Sequence, residues 1–183
     1  MILRTEGMIK MNEIINAMIE RRSCKNYKSD MLPKETIEKV ITAGLWAANG
    51  RGLQTPVIIA ITDKETRDKL SKLNAAVMGA ESDPFYNAPV VLIVLAPAQH
   101  PNRVYDGSLV MGNMMLAAHS MGIGSCWIHR AKEVMETEEG KAILKDVGLE
   151  GEWEGIGNCV LGYMDGPLKE AQPRKDERVY WVE

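Results

Sequence analysis

The chain has 183 residues, 45% hydrophobic and 26% charged, which is typical of one folded domain and excludes a disordered protein. Its 22 Lys and Arg residues against 25 Asp and Glu residues leave a formal net charge of −3, so we expect no nucleic-acid partner and no anionic-membrane partner. No stretch approaches the roughly 18 consecutive apolar residues of a membrane span. Residues 1–10 lack the apolar segment of a secretory signal, and we therefore expect a cytoplasmic protein.

The hydrophobic periodicity predicts one domain over residues 11–183, preceded by an N-terminal extension over 1–10. Predicted helices cover 12–22, with Asn12 as N-cap, and 33–46, 63–80, 103–121 and 138–147. Predicted strands cover 56–62, 89–96, 123–128 and 155–163. The first two strands are continuously apolar, which indicates a sheet covered on both faces.

Two further segments have unusual apolar patterns. The 103–121 helix is apolar almost all round, so we expect it to be buried on all sides. After a polar linker, the sequence turns apolar again at residues 178–182, with the letters RVYWV. An apolar strand at the end of a polar linker is typical of an arm exchanged with a partner subunit.

The segment Arg21-Arg22-Ser23-Cys24-Lys25, at the end of the first helix, is the first candidate site. Its cations could complement the dipole at the helix C-terminus. They could equally bind a phosphate monoester, because Arg offers paired donors, Lys a point charge and Ser a hydroxyl. The residues alone leave both interpretations open.

Other catalytic signatures are missing from the sequence. It contains no G-x-G-x-x-G fingerprint, no P-loop and no G-x-S-x-G elbow. The three cysteines are far apart and form no C-x-x-C pair, so we predict neither a disulfide framework nor a metal site. Cys126 and His129 have metal-like spacing, but no second pair accompanies them.

Several segments, in order, resemble the motifs of the nitroreductase family of flavoproteins. Residues 21–27 (RRSCKNY) resemble its R-R-S-x-R/K-x-F/Y start, and 47–54 its A-P-S-x-x-N-x-Q loop. Residues 87–91 (NAPVV) resemble its A-P-V strand, and 106–127 its central D-x-x-x-A…G-S-C-W signature. Gly162-Tyr163, followed by Pro173-Arg174-Lys175, is similar to its C-terminal G-Y-P…R-K segment.

The resemblance implies an α+β fold with a central mixed, mainly antiparallel β-sheet flanked by helices. It also implies an intertwined homodimer that exchanges its C-terminal strand and binds one FMN in each of two interface clefts. The methionine-rich helix, with Met111, Met114 and Met115, would then lie at the dimer interface.

Site residues follow from the same resemblance, segment by segment. Residues matching the family's FMN phosphate and ribityl contacts are Arg21, Arg22, Ser23 and Lys25, with Arg174 and Lys175 closing from the tail. Residues matching the loop that touches the flavin from the other subunit are Asn49, Gly50, Gly52 and Gln54. Residues matching the segment beside the isoalloxazine ring are Trp127, Ile128 and His129, and Asn74 matches a position that bonds the polar edge of the ring.

The implied activity is a two-step, ping-pong hydride transfer. NADH or NADPH reduces the flavin at N5, and a nitroaromatic, quinone or similar small acceptor then takes its place. The flavin carries the redox chemistry, so no catalytic side chain is predicted. Alternatives from the same resemblance are a non-catalytic flavin-storage module and a related flavin dehydrogenase or dehalogenase.

The sequence also departs from the family pattern. Ala48-Asn49 replaces the Pro-Ser of the loop, Gly52 replaces its Asn, and Thr55-Pro56 follows its Gln. These changes alter the predicted wall of the pocket. No sizeable insertion lies between Ala75 and Tyr86, so we expect the acceptor pocket to be open or differently covered.

Overall fold

A computed structural model describes residues 12–183; the predicted extension over residues 1–10 lies outside this range. The helices are α1 (Glu13–Glu20), α2 (Lys34–Leu45), α3 (Lys64–Met78), α4 (Arg103–Ser120), α5 (Ala131–Met135) and α6 (Glu138–Asp146), with one 3₁₀ turn at Gly50–Gly52. The strands are β1 (Val57–Ile61), β2 (Val90–Pro97), β3 (Gly124–Ile128) and β4 (Trp153–Gly162).

Local capping explains where several helices begin. The side chain of Asn12 accepts from the amide of Ile15 at 2.9 Å, which confirms it as the N-cap of α1. Asp63 caps α3 through the amide of Thr66 at 2.8 Å, and Thr137 caps α6. α3 ends at Gly79, whose φ of 64° is the left-handed conformation that glycine adopts most readily.

The four strands form one sheet in the order β1-β2-β4-β3, and all three pairings are antiparallel. One parallel bridge, between Ser23 and Ser125, adds the segment after α1 to the edge of the sheet beside β3. The sheet is therefore mixed but mainly antiparallel, as predicted.

Each face of the sheet has its own hydrophobic core. On one face, Leu70 of α3 and Val134 of α5 pack with Ile93 and Val160. On the other face, Val40 of α2 and Met114 of α4 pack with Leu92 and Leu161. Every residue from Val90 to Ala96 is buried, so the prediction of a two-sided cover is confirmed for β2. The cover is incomplete for β1, where Ile58 packs partly buried against the second core but Ala60 is exposed.

Helix α4 is not buried all round in a single chain, contrary to the prediction. Val110 and Met111 face the core, whereas Val104, Tyr105 and Leu109 are exposed. One helix can pack only one face against one sheet, so the opposite apolar face is left uncovered. Met111 and Met114, which were expected at the dimer interface, are both fully buried inside their own chain and are not available to a second copy. A Cβ at Gly44 of α2 would lie 2.7 Å from Met114 Cγ, which shows how closely the two helices approach.

The elements after β3 also differ from the prediction. The short helix α5 was not predicted, because its five residues are too few to show a period. Strand β4 begins at Trp153 rather than at residue 155, and the sheet has a bulge where Val94 and Leu95 meet it. Residues after Gly162 form no helix or strand of regular length, and Val179, Tyr180 and Trp181 are exposed.

Candidate functional site

Arg21 and Arg22 take different roles, although they are adjacent at the end of α1. The guanidinium of Arg22 donates to the carbonyls of Ile19 and Arg21, at 2.6 and 2.7 Å. This is the helix-end interaction that the sequence left open as one of its two interpretations. The Nη1 of Arg21 is buried and, among the described residues, has no hydrogen-bond partner. Arg21 is therefore the cation that is free to bind an anion.

The 21–25 segment is held against the edge strand β3. The amide of Cys24 donates to the carbonyl of Ser125 at 2.9 Å, next to the bridge between Ser23 and Ser125. The hydroxyl of Tyr27 donates back to the carbonyl of Cys24 at 2.8 Å. These bonds tie the segment that resembles the R-R-S motif to the strand that resembles G-S-C-W.

A first cavity, of about 400 Å³, opens beside this segment. It is lined by residues 22–26 on one side and 165–169 on the other. The two sides are joined by Asn26, whose carbonyl accepts from the amide of Asp165 at 3.0 Å and whose side chain donates to the carbonyl of Asp165. Ser23, Lys25 and Lys169 give the cavity a hydroxyl and two ammonium groups, which suit a phosphate.

Lys169 is a lining residue that the sequence interpretation missed. The tail cations assigned by resemblance were Arg174 and Lys175, and neither is among the residues that line this cavity. Arg174 bonds to the carbonyl of Gln172 at 3.4 Å and both residues are exposed. The structure of one chain therefore does not bring these two residues to Arg21. The sequence could have indicated Lys169, because this cation lies in the polar segment that follows the last strand, which ends at Gly162.

A second cavity, of about 520 Å³, lies at the end of β3. It is lined by residues 127–130, by Met78 and Ala80, and by the loop residues Ser82, Asp83, Pro84 and Tyr86. Lys25 links the two cavities, because its Nζ lies 5.4 Å from the centre of the Tyr86 ring. Tyr86 is a further wall residue that the sequence interpretation did not identify.

Three predicted residues, Trp127, Ile128 and His129, stand together on this wall. The rings of Trp127 and His129 are 5.9 Å apart and tilted by 34°. A Cβ at Gly157 would lie 2.5 Å from Trp127 Nε1, so the glycine makes room for the indole. That Nε1 is buried without a hydrogen-bond partner in the described part of the chain.

Asn74 is also brought to this wall, from α3. Its side-chain nitrogen donates to the carbonyl of His129 at 2.9 Å, and the whole residue is buried. Its Oδ1 is buried without a hydrogen-bond partner within residues 12–183. Unpartnered polar atoms on Arg21, Asn74 and Trp127 are costly unless a ligand pairs with them.

Asp83 fixes the loop that forms the other wall. Burial raises the pKa of its carboxyl, but hydrogen bonds from Ser71, Arg67 and two backbone amides outweigh burial and hold the pKa below its usual range. The guanidinium of Arg67 also donates to the carbonyl of Ala88 at 3.0 Å. The negative charge of Asp83 is therefore stabilised by the donors that surround its carboxylate.

Burial shifts the pKa of two thiols near Arg21, those of Cys126 and Cys159, in the same direction. Burial raises the pKa of Cys159 to about 12. Burial also raises the pKa of Cys126, although a hydrogen bond with Ser23 and the charges of Lys25 and Arg21 partly oppose it. A buried thiol with a raised pKa is a poor nucleophile near neutral pH.

The predicted loop residues Asn49, Gly50, Gly52 and Gln54 line neither cavity. Asn49 Oδ1 accepts from the amide of Gln54 at 2.8 Å, and its Nδ2 donates to the carbonyl of Ala47 at 3.2 Å. The loop thus has hydrogen bonds of its own besides one to α4. A single chain does not bring it to the 21–25 segment.

The chain is similar to known proteins over most of its length. The model of the nitroreductase family matches residues 18–84 and 77–163. A Methanothermobacter thermautotrophicus protein, provisionally named NADH dehydrogenase/NAD(P)H nitroreductase, is 26% identical over 67% of this chain and 63% of its own length. FMN reductase [NAD(P)H] of Bacillus subtilis is 24% identical over 63% of this chain. The match covers 53% of that relative, so the chain spans little more than half of it.

The fold is also found among solved structures. A nitroreductase from Bacteroides fragilis, whose crystal structure has FMN bound, superimposes with a TM-score of 0.86 and 24% identity. The superposition covers 94% of this chain and 100% of that one. The family match spans far more than half of the sequence, and the chain belongs to the nitroreductase family.

Proposed function

We propose that this protein is an FMN-dependent oxidoreductase that takes hydride from NADH or NADPH and delivers it to a small electron acceptor. The observation that carries the proposal is the buried Nη1 of Arg21, which has no partner among the described residues and belongs to the residue before Arg22, the first residue to line the cavity. An unpaired guanidinium N–H costs free energy unless an anion pairs with it, and a phosphate monoester supplies that anion. Family membership makes FMN the phosphate ester to test.

The residues present fit this cofactor. Ser23 and Lys25 of the cavity lining would hold the phosphate together with the unpaired Nη1 of Arg21, and Lys169 adds a cation on the far side of the cavity. The wall formed by residues 127–130 would lie beside the ring, held in place by Asn74. When bound, FMN supplies the hydride-transfer chemistry. The protein's contribution is binding, orientation and the exclusion of water.

The exposed apolar surfaces support a homodimer. Ile14, Met18 and Ile19 leave the apolar face of α1 exposed, and Tyr105 and Leu109 do the same for α4. Large exposed apolar patches of this kind mark association surfaces. A second copy would cover them and would bring the 49–54 loop and the tail cations Arg174 and Lys175 to the site.

The tail supports an exchange of strands between the two copies. Trp181 is 78% exposed and Val179 and Tyr180 are also uncovered, which is unfavourable for so apolar a segment. Strand β1 has one free edge, and an apolar groove lined by Leu32, Ile37 and Ile41 lies beside Ala60. A free edge next to an apolar groove is suited to an added strand.

A flavin titration and a reduction assay test the proposal. The purified protein should bind FMN and should bleach near 450 nm when NADH or NADPH is added without oxygen. A protein that takes up no FMN would overturn it. Binding of FMN without reduction by either nucleotide would support the alternative, a flavin-storage module. Comparing NADH with NADPH in the same assay identifies the preferred donor.

The acceptor requires a separate screen. Nitroaromatics, quinones and free FMN should be compared under steady-state conditions, since one relative is named as an FMN reductase. Halogenated aromatics and oxidisable substrates belong in the same panel, because a dehalogenase or dehydrogenase is the related alternative. Ping-pong kinetics, with parallel double-reciprocal lines, are expected for the true acceptor.

Among residues 12–183, none of the helices has both the length and the apolar character needed to cross a bilayer. The cytoplasmic location stays a prediction from the sequence.

A further inference from the structure

Asp106 is a buried carboxylate to which the proposed function gives no role. It lies in the first turn of α4, is 3% exposed, and is the first residue of the segment that resembles the central family motif. A buried carboxylate is costly unless hydrogen-bond donors surround it. Two donors face it: the amide of Gly50 lies 2.9 Å from Oδ1, and Nε2 of His100 lies 3.2 Å from Oδ2.

The bond to Gly50 joins two distant parts of the chain. Other hydrogen bonds of the loop, in the described structure, run within residues 47–54. Asp106 is therefore the hydrogen-bonding anchor of the loop on α4. A Cβ at Gly50 would lie 2.4 Å from Nδ2 of Asn102, so a side chain there would push the side chain of Asn102 aside. Glycine permits this close approach.

His100 is held in turn by the segment before α4. Its amide donates to the carbonyl of Pro97 at 2.9 Å, and its own carbonyl accepts from Nη1 of Arg103 at 3.2 Å. Arg103 is paired with Glu154 at 3.0 Å. The imidazole therefore has a fixed place from which to orient the carboxylate, and the N-terminus of α4 also favours a negative charge there.

We infer that Asp106 is a positioning residue for the 49–54 loop, and that His100 orients its carboxylate. The part of this inference that concerns catalysis rests on the proposed function, in which the loop faces the flavin of the second copy. The anchoring itself rests only on the contacts within this chain.

Hydrogen exchange of the protein as purified tests the anchoring. In Asp106→Ala, the amide of Gly50 loses its acceptor and should exchange about tenfold faster, as expected when one charge-assisted hydrogen bond is removed. Asp106→Asn keeps an oxygen at the same place, so its exchange should remain close to that of the unmodified protein. Ser108→Ala is the matched control on α4, since its hydroxyl bonds only to Val104 in the described chain.

Kinetics distinguish positioning from a merely structural role. With FMN content matched to that of the unmodified protein, Asp106→Ala should raise KM for the acceptor or lower kcat severalfold, and Asp106→Asn should restore both. Unchanged exchange in Asp106→Ala would overturn the anchoring. Faster exchange with unchanged kinetics would overturn the positioning role, as would an Asp106→Asn variant no better than Asp106→Ala.

A second pair of variants covers the possibility that Asp106→Ala does not fold. His100→Leu removes the donor to Oδ2 and should also speed exchange at Gly50, whereas His100→Gln keeps an N–H and should not. Equal exchange in these two variants would overturn the role of His100. If the unmodified protein is not reduced by NADH or NADPH, the proposed function fails, while the exchange experiment still decides the anchoring.

Discussion

The side-chain amide of Asn74 donates a 2.9 Å hydrogen bond to the carbonyl of His129 and thereby joins α3 to the end of β3. The two residues are 55 positions apart in the sequence. Their contact holds the wall of the second cavity at the point where the chain leaves the sheet. The wall's geometry therefore depends on α3 as well as on β3.

Asn74→Leu tests this contact. It leaves the carbonyl of His129 unpaired in a partly buried place but also removes the unpartnered Oδ1 of Asn74, so the free energy of unfolding should fall by about 1 kcal/mol. Urea unfolding followed by circular dichroism measures the change. Lys72→Ala, at an exposed position on the same helix, should change stability by less than about 0.5 kcal/mol. Equal stability of the two variants would contradict the prediction.

Arg21→Ala should weaken FMN binding by about tenfold to a hundredfold, because it removes a charged phosphate partner. The FMN-free variant should lose little stability, since its Nη1 is unpaired in the described structure. Arg22→Ala should have the smaller effect on FMN, because Arg22 donates to the end of α1. Flavin fluorescence titration measures both affinities. Lys34→Ala, in an exposed ion pair on α2, is the control, and an Arg21→Ala affinity equal to it would mean that the phosphate lies elsewhere.

Asp83 should contribute to the acid sensitivity of the fold. Its pKa is held below the usual value of about 3.9 in the folded state, so its contribution is complete above that pH and is lost as the pH falls through the folded pKa. Asp83→Asn should therefore be less stable at pH 6 and show a flatter decline between about pH 4 and 2. Urea midpoints at several pH values measure this, with Glu65→Gln on the exposed face of α3 as control. Parallel acid limbs for Asp83→Asn and the unmodified protein would contradict the prediction.

A chain ending at Glu177 should associate more weakly than the full chain. It lacks the exposed apolar residues 179–182, whose burial against a second copy is expected to stabilise the dimer. Sedimentation equilibrium should show a dissociation constant at least about tenfold higher, equivalent to 1.4 kcal/mol. The full chain with Lys145→Ala, at an exposed position on α6, is the control. Unchanged association of the shortened chain would exclude strand exchange, though not a dimer through α1 and α4.

Local patterns in the sequence were sufficient for much of the fold. The apolar run ending at Ala96 forms the fully buried strand β2, and Asn12 begins α1 by capping it. Such features depend on neighbours within a few residues, so periodicity and capping reveal them. The α+β class and the family followed from motifs in order, and the structure and comparisons confirm both.

Only the tertiary structure decided which side chains have partners. Arg21 and Arg22 are equivalent in the sequence, yet Arg22 donates to the end of a helix, whereas the Nη1 of Arg21 is buried without a partner among the described residues. The apolar composition of α4 likewise did not predict that one side of the helix is exposed, because a single chain has only one surface against which this helix can pack. Gly50 and Asp106 are 56 residues apart and meet only after α4 has packed beside α2. The sequence by itself determined the family and most of the elements, since these depend on local order. The folded chain decided the pairing of polar groups, since that depends on distances across the molecule.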